Sequence, residues 1–157
     1  MQSQRKSKTM TGFTLIELIV VILILAILGA IALPRFMDTA GDARTAVMKA
    51  VEGAMRGANN MLYAKAAASG NENTANYTIT LPSGVTVQLK YGSAASTAEL
   101  VKAMEFSPAE DFLQQGTAVR HAKANNPAGC QVVYVPPTGP GLSPTYTPSY
   151  AAGPAGC

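Results

Sequence analysis

Residues 12–33 read GFTLIELIVVILILAILGAIAL, and this stretch decides the fold because it has no polar face. Residues 18–33 carry no charge, and Glu17 is the single charged member of residues 13–33. As an α-helix, residues 13–33 would be roughly 31 Å long, enough to cross the hydrocarbon core of a bilayer. A soluble monomer cannot bury a helix that is apolar all round. The sequence therefore predicts a helix that lies in lipid or among copies of itself.

The net charge of the chain comes from the residues in front of this apolar stretch. Arg5, Lys6 and Lys8 account for the whole net charge of +3, because the residues after position 12 carry 9 basic and 9 acidic side chains. By the positive-inside rule the basic leader stays in the cytoplasm, and the rest of the chain lies outside it. The neutral body gives no support to a protein that binds nucleic acid through a basic surface.

Three interpretations of the N-terminus compete. It is a plain membrane anchor, or a secretory signal peptide cleaved after Ala30-x-Ala32, which would release a secreted binding module. The third interpretation rests on Glu17, since an unpaired carboxylate in hydrocarbon costs roughly 2.5–3.5 kcal/mol and intramembrane acids are usually functional. The nearest candidate partner for Glu17 is an amine created by cleavage between Gly12 and Phe13.

The string GFTLIEL at residues 12–18, placed after a basic leader and before an uninterrupted apolar helix, resembles the prepilin signature of type IV pilins and pseudopilins. The resemblance implies that a prepilin peptidase cuts after Gly12 and that the new amino group, on Phe13, is methylated. It also implies that Glu17 pairs with the Phe13 amine of a neighbouring subunit during assembly. In an apolar surrounding this attraction is much stronger than in water, so the pair could set the register between subunits.

Two residues are expected to interrupt the N-terminal helix. Gly29 is a poor helix former, and Pro34 removes one backbone hydrogen bond and presses against the carbonyl four residues before it. Resemblance to pilins implies that this segment kinks or loosens when subunits pack in a filament. Beyond it, apolar residues at intervals of three and four predict an amphipathic helix that ends near residues 69–70. This stripe comprises Phe36, Ala40, Ala43, Val47, Val51, Met55, Ala58 and Leu62.

The second half of the chain has the patterns of a β-rich head. Residues 77–81 and 85–91 alternate, are rich in β-branched side chains and are separated by Pro-Ser-Gly, which predicts a β-hairpin. A short helix is expected over residues 98–106, with Ser96 or Thr97 as its cap.

Another strand is predicted over residues 131–135, and it is followed by a Pro- and Gly-rich tail at 136–156 that cannot supply central strands. Cys130 and Cys157 bracket this tail. In an oxidising compartment a disulfide is the natural interpretation, and closing this loop is worth about 3.5 kcal/mol in the chain-entropy model. A metal site would lack further ligands, since His121 stands alone.

Several shorter segments extend the resemblance to pilins of the mannose-sensitive haemagglutinin type. They are Arg35-Phe36 after Pro34, residues 42–44, residues 90–92, the predicted helix at 100–106 and the strand at 130–134. Pseudopilins of type II secretion are the main rival, and their major subunit carries a calcium site built from acids and has no disulfide. Residues 112–157 contain no Asp or Glu, which disfavours calcium, a cation that requires carboxylate oxygens.

No catalytic constellation, cofactor motif or metal-ligand spacing is present, and the one histidine, His121, is expected on the surface. The sequence thus predicts an α+β protein that is not an enzyme. It would comprise a leader peptide at residues 1–12, a long N-terminal helix at 13–68 with 13–33 in the membrane or filament core, and a β-rich head at 69–157 with a small antiparallel sheet and a C-terminal disulfide loop.

The resemblance implies a major pilin that polymerises into a helical surface filament, with attachment as its role and motility or DNA uptake as further roles. A type II secretion pseudopilin or a minor pilin is the alternative. The implied partners are other copies of the chain, the inner membrane, a prepilin peptidase, an assembly platform protein, an assembly ATPase and a surface or host receptor. The chain would be in the inner membrane before assembly and on the cell surface afterwards.

Overall fold

The computed structural model describes residues 13–150 and 156–157, without the side chains of residues 34–38. The predicted leader peptide lies outside the described residues. Helix α1 (Leu15–Ala68) is the first element. The chain divides into two compact units, one that ends at Phe36 and one that runs from Met37 to Cys157. We call the second unit the head and describe it first.

The head contains two antiparallel sheets. One has the strand order β1-β2-β3 and the other the order β4-β5-β6-β7. A short helix, α2, precedes the second sheet, and single 3-10 turns stand at Ala109–Asp111 and Pro127–Gly129. The elements are β1 (Tyr77–Thr80), β2 (Thr86–Lys90), β3 (Ser93–Ala94), α2 (Thr97–Lys102), β4 (Phe112–Gln115), β5 (Ala118–His121), β6 (Cys130–Val135) and β7 (Thr145–Tyr150). The predicted α+β class is confirmed.

The predicted hairpin and the predicted strand at residues 131–135 are both present. Strands β1 and β2 pair with Ile79 opposite Val87, and both side chains are buried. Helix α2 begins as expected, since Ser96 Oγ accepts a hydrogen bond from the Glu99 N–H at 3.2 Å.

The prediction that α2 extends to residue 106 is wrong, because the helix ends at Lys102. Met104 and Phe106 both pack against the hydrophobic core. In a continued helix these two residues would point about 160° apart, so they could not face the same core.

Two strands of the second sheet are missing from the sequence-based prediction, and a third comes from the tail. Strands β4 and β5 form a hairpin whose loop is Gly116 and Thr117, with Gly116 at a φ of +58° that favours glycine. Strand β7 pairs with β6 at the edge of the sheet and places Pro148 opposite Val132. In the described residues the tail therefore supplies an edge strand, a position in a sheet that tolerates proline.

The α1 side chains that belong to the core of the head lie along one face of the helix, here called the stripe. Its buried apolar side chains follow at helical spacing and are Met48, Val51, Met55, Leu62 and Ala66. Val47, which the pattern places in the stripe, is 39% exposed, and the neighbouring Met48 is buried instead. At 100° per residue Val47 lies roughly 80° from the centre of the observed stripe, so the longer Met48 side chain fills that position.

The polar residue Asn59 is buried at the edge of this stripe. Its Oδ1 accepts a hydrogen bond from the Ala94 N–H of β3 at 2.9 Å, and its Nδ2 donates to the Tyr146 hydroxyl of β7 at 2.6 Å. One turn earlier, Arg56 lies over the ring of Tyr146 at 4.4 Å. Because both ends of the buried amide are satisfied, Asn59 fastens α1 to one strand of each sheet without a desolvation penalty.

The predicted disulfide is confirmed, with Cys130 and Cys157 joined at an S–S distance of 2.03 Å. Both cysteines are fully buried in the hydrophobic core. Arg44 Nη1 donates a hydrogen bond to the Cys157 carbonyl oxygen at 3.0 Å, so the end of the loop is tied to α1 as well as to β6. The disulfide thus anchors a tail that has few apolar side chains of its own.

The expectation that His121 lies on the surface is wrong, because its side chain is buried at the end of β5. Its ring packs against Phe112 with the ring centres 5.7 Å apart, and its Nδ1 accepts a hydrogen bond from the Lys123 N–H at 3.2 Å. Burial lowers the pKa of His121 below its ordinary value. Asp111 opposes this effect, and Arg44 and Lys123 add to it.

We expect the double variant Cys130→Ala/Cys157→Ala to lower the free energy of unfolding of the head by about 2–5 kcal/mol, because the unfolded chain regains the entropy of the open loop. Urea denaturation of the full chain in detergent micelles, followed by near-ultraviolet circular dichroism, measures this loss. Each single variant should lose a similar amount. An unchanged unfolding midpoint would contradict the anchoring role of the disulfide.

We expect the head to lose stability as the pH falls below the ordinary histidine pKa of about 6.5, because the unfolded chain binds a proton on His121 more readily than the folded head. Above that pH the contribution of the neutral imidazole is fully present. The matched variant His121→Asn keeps an acceptor for the Lys123 N–H but does not titrate near this pH. Urea midpoints at pH 7.5 and pH 5 should therefore differ less in the variant than in the natural chain, and an equal difference would contradict the assignment.

Candidate functional site

The N-terminal segment of α1 exposes its apolar side chains in all directions. Leu15–Leu33 is a helix of 19 residues with a mean hydropathy of 3.1, long and apolar enough by composition to cross a membrane. Its large apolar side chains are between 42% and 76% exposed, and Phe13 is 89% exposed. Within the described residues nothing covers this surface, so it is available to lipid or to other copies of the chain.

The carboxylate of Glu17 is held by the residue that begins the helix. Glu17 Oε2 accepts hydrogen bonds from the Thr14 N–H at 2.8 Å and from the Thr14 hydroxyl at 2.7 Å. In return the Glu17 N–H donates to Thr14 Oγ1 at 3.3 Å. This reciprocal pattern is a capping box, which satisfies backbone groups that the first turn of a helix leaves free.

The sequence pointed to an amine at Phe13 as the partner of Glu17, and the structure shows a further partner, Thr14, within the same chain. The signal was present, because Thr14-Leu-Ile-Glu17 has the Thr-x-x-Glu spacing of a capping box directly before an apolar run. Glu17 Oε1 accepts no hydrogen bond from any residue in the described part of the chain. A carboxylate has further lone pairs, so this oxygen remains able to accept a bond from a cation.

The other predicted site residues are placed as follows. Gly12 lies outside the described residues, and Phe13 stands one residue before Thr14. Gly29 lies within α1, and apart from its two chain neighbours and the backbone of the surrounding helix, no described atom lies within 4 Å of the position that a Cβ would take. Helix α1 continues through Gly29 and Pro34, so the predicted kink or loosening in a packed filament stays a prediction.

Within the described residues, no three His, Cys, Asp or Glu side chains cluster closely enough to hold a metal ion.

Residues 8–33 match the sequence profile of a protein family described as the prokaryotic N-terminal methylation motif. The chain carries this motif. It is also similar to the type IV narrow pilus major component PilA5 of Thermus thermophilus, with 53% identity over 47 residues. That alignment covers 30% of this chain and 40% of PilA5. No solved structure matches the chain.

The capping box predicts that Thr14→Val, which removes the hydroxyl at nearly constant shape, destabilises the first turn of α1 by about 1 kcal/mol. Hydrogen exchange at the amides of Ile16 and Glu17, measured by nuclear magnetic resonance in micelles, should then become about fivefold faster. The matched variant Thr14→Ser keeps the hydroxyl and should exchange at the natural rate. Equal exchange rates in the two variants would show that the hydroxyl does not stabilise this turn.

Proposed function

We propose that the chain is a structural subunit of a type IV pilus that polymerises into a helical surface filament. The observation that carries the proposal is the methylation motif at residues 8–33, which includes an apolar helix that the described part of its own chain leaves uncovered. Transfer from the membrane to a filament exchanges lipid contacts for contacts with other helices, so the apolar surface never meets water. The similarity to a pilus component supports the same role.

Processing would prepare the segment for assembly. A prepilin peptidase would cut between Gly12 and Phe13, and the new amine on Phe13 would be methylated. Glu17 would then accept hydrogen bonds on both carboxylate oxygens. Oε2 accepts those from Thr14 of the same chain, and Oε1 would accept one from the Phe13 ammonium of a neighbouring subunit. Such a pair in an apolar surrounding contributes mainly to register, since much of its attraction is offset by desolvation.

We further propose that the chain is the major pilin of a filament of the mannose-sensitive haemagglutinin type. The short segments named in the sequence analysis and the C-terminal disulfide support this subfamily over the pseudopilins. Assembly would take place at the inner membrane with a platform protein and an ATPase that supplies the work. Surface attachment would be the main role, with motility or DNA uptake as a further one. The protein would act as a building block and not as an enzyme.

The cleanest test is the identity of the mature N-terminus in fibres sheared from the cell surface. We expect mass spectrometry to find this chain as the abundant subunit, beginning at N-methylated Phe13. The variant Gly12→Val should stay unprocessed in the inner membrane and should give no fibres. A mature chain that begins at Leu33 would instead indicate a secreted module, and a processed chain of low abundance in the fibres would indicate a minor pilin or pseudopilin.

The docking role of Glu17 can be tested separately from processing. We expect Glu17→Ala to be cleaved after Gly12 at the natural rate but to give few or no surface fibres, because the neighbouring ammonium loses its partner. Glu17→Gln is the matched variant, since its amide oxygen still accepts the Thr14 hydrogen bonds but has no charge. Fibres at normal yield from both variants would rule out the proposed pairing, and a defect in Glu17→Ala alone would assign the effect to the capping box.

A further inference from the structure

The proposed function makes no use of the open strand edges of the head. In the described residues, the edge strands of the two sheets are β1, β3, β4 and β7. Strand β3 has only two residues and β7 carries Pro148, whereas β1 and β4 each have four residues without a charge or a proline. Charges, prolines and very short length are the usual protection of an edge against another strand. Strands β1 and β4 therefore offer their free backbone groups to a strand from another molecule.

On β1, the free backbone groups belong to Thr78 and Thr80. Opposing residues of an antiparallel pair alternate between those that exchange hydrogen bonds and those that do not. The Leu81 N–H donates to the Val85 carbonyl at 2.8 Å, so Thr80 and Thr78 turn their backbone groups away from β2. In the described part of the chain, the Thr80 carbonyl accepts a bond from Lys65 Nζ at 3.2 Å, while the Thr80 N–H and both backbone groups of Thr78 have no partner.

On β4, the free backbone groups belong to Phe112 and Gln114. The Ala122 N–H donates to the Asp111 carbonyl at 2.8 Å, and the same alternation turns the backbone groups of Phe112 and Gln114 away from β5. The Phe112 N–H is already used, because it donates to the Ala109 carbonyl. Among the described residues, the Phe112 carbonyl and both backbone groups of Gln114 have no partner.

The two edges are complementary in one antiparallel register. With Thr78 of one copy opposite Gln114 of another, these two residues exchange both of their backbone hydrogen bonds. Thr80 then lies opposite Phe112, and the Thr80 N–H donates to the Phe112 carbonyl. The reverse bond is not required, because the Phe112 N–H and the Thr80 carbonyl each have a partner within their own head. Every free backbone group of one edge thus meets a free group of the other.

Opposite charges flank the same end of this pairing. Lys65 Nζ reaches Thr80 from α1, beside a cavity of about 220 Å³ that Lys65 and β1 line together. Glu110 is exposed and lies two residues before Phe112. In the part of the chain that the structure describes, neither Lys65 nor Glu110 forms an ion pair. Two strand positions span about 7 Å, which two long side chains can bridge, so Glu110 of one copy can pair with Lys65 of the other.

We propose that the heads of two copies pair through these edges, with β1 of one copy against β4 of the other. The contact joins two different surfaces, so each copy in a pair keeps one edge open for a further copy. It uses no residue of the apolar segment and does not rest on the proposed function. Three backbone hydrogen bonds and one exposed ion pair exceed the entropic cost of association only slightly, so free heads pair weakly, with a Kd in the millimolar range. An assembly that already holds two chains together favours the contact by raising their effective concentration.

The test mixes two full-length variants, Thr78→Cys and Gln114→Cys, in dodecylphosphocholine micelles that hold two chains each. Residues that exchange hydrogen bonds across an antiparallel pair have Cα atoms about 5.5 Å apart, a distance that a disulfide can bridge. Under mild oxidation we expect the mixture to give several times more disulfide-linked dimer, on gels run without reductant, than either variant alone. Gln88→Cys mixed with Gln114→Cys is the matched control, since Gln88 is exposed opposite Thr78 but lies on β2, one strand farther from the edge.

A charge exchange tests the register independently of the cysteines. Lys65→Glu and Glu110→Lys, each placed in both partners, should lower the yield of linked dimer about 2- to 5-fold, and the two changes together should restore it. Urea midpoints of the charge variants should stay unchanged, because both residues are outside the core.

The proposal is overturned if the mixture gives no more linked dimer than the single variants or the Gln88→Cys control. It is also overturned if neither charge variant lowers the yield, or if the double variant fails to restore it. Abundant dimer from Thr78→Cys alone or Gln114→Cys alone would show that like edges pair, which contradicts the proposed register. Because the comparison is made on unassembled chains in micelles, a failure to form fibres does not affect it.

Discussion

The constraint on which the rest of the structure depends is that residues 15–33 have no polar face and, among the described residues, no cover from their own chain. Burial of apolar surface contributes about 25 cal/mol per Å², so this helix is stable only in lipid or against other helices. The hydrophobic core of the head contains no described side chain from this segment, since the α1 residues in that core begin at Met48. The head can therefore keep its own core whichever apolar environment surrounds the N-terminal segment.

Within the head, polar contacts fasten the tail-derived strand β7 to α1. The Tyr150 hydroxyl donates to Glu52 at 2.6 Å, and this bond, followed by the Arg56 guanidinium, lowers the pKa of Glu52 below its ordinary value. The same bond raises the pKa of Tyr150. Together with the Tyr146 contacts and the disulfide, these bonds hold a strand whose other residues are two threonines, one proline and one serine, so its two tyrosines supply its contacts with the core. An edge strand of such composition also discourages unwanted strand pairing.

The sequence predicted those features that local patterns determine. Helix α1, the hairpin β1–β2 and strand β6 follow from periodicity and turn residues, and the disulfide follows from the cysteine count and the composition of the tail. The features that it missed depend on contacts between distant residues. His121 is buried where its ring packs against Phe112. Helix α2 stops at Lys102 because Met104 and Phe106 pack against one core, and β7 forms because it can pair with β6. The Thr14 cap was also missed, but it depends on a local pattern, the Thr-x-x-Glu spacing of residues 14–17, that the sequence does contain.

That cap bears on why an acid is tolerated at the start of an apolar helix. A carboxylate that accepts two hydrogen bonds from Thr14 has replaced part of its hydration within its own chain. Under the proposed function, these bonds lower the cost of holding Glu17 at the edge of a membrane while the chain is not yet assembled. Glu17 Oε1 accepts no hydrogen bond in the described structure, so the carboxylate can still bind a cation through this oxygen. A carboxylate whose two oxygens both accepted hydrogen bonds from its own chain would have little tendency to bind a cation. A Glu17 carboxylate without the Thr14 bonds would have a larger free-energy cost of insertion into a membrane.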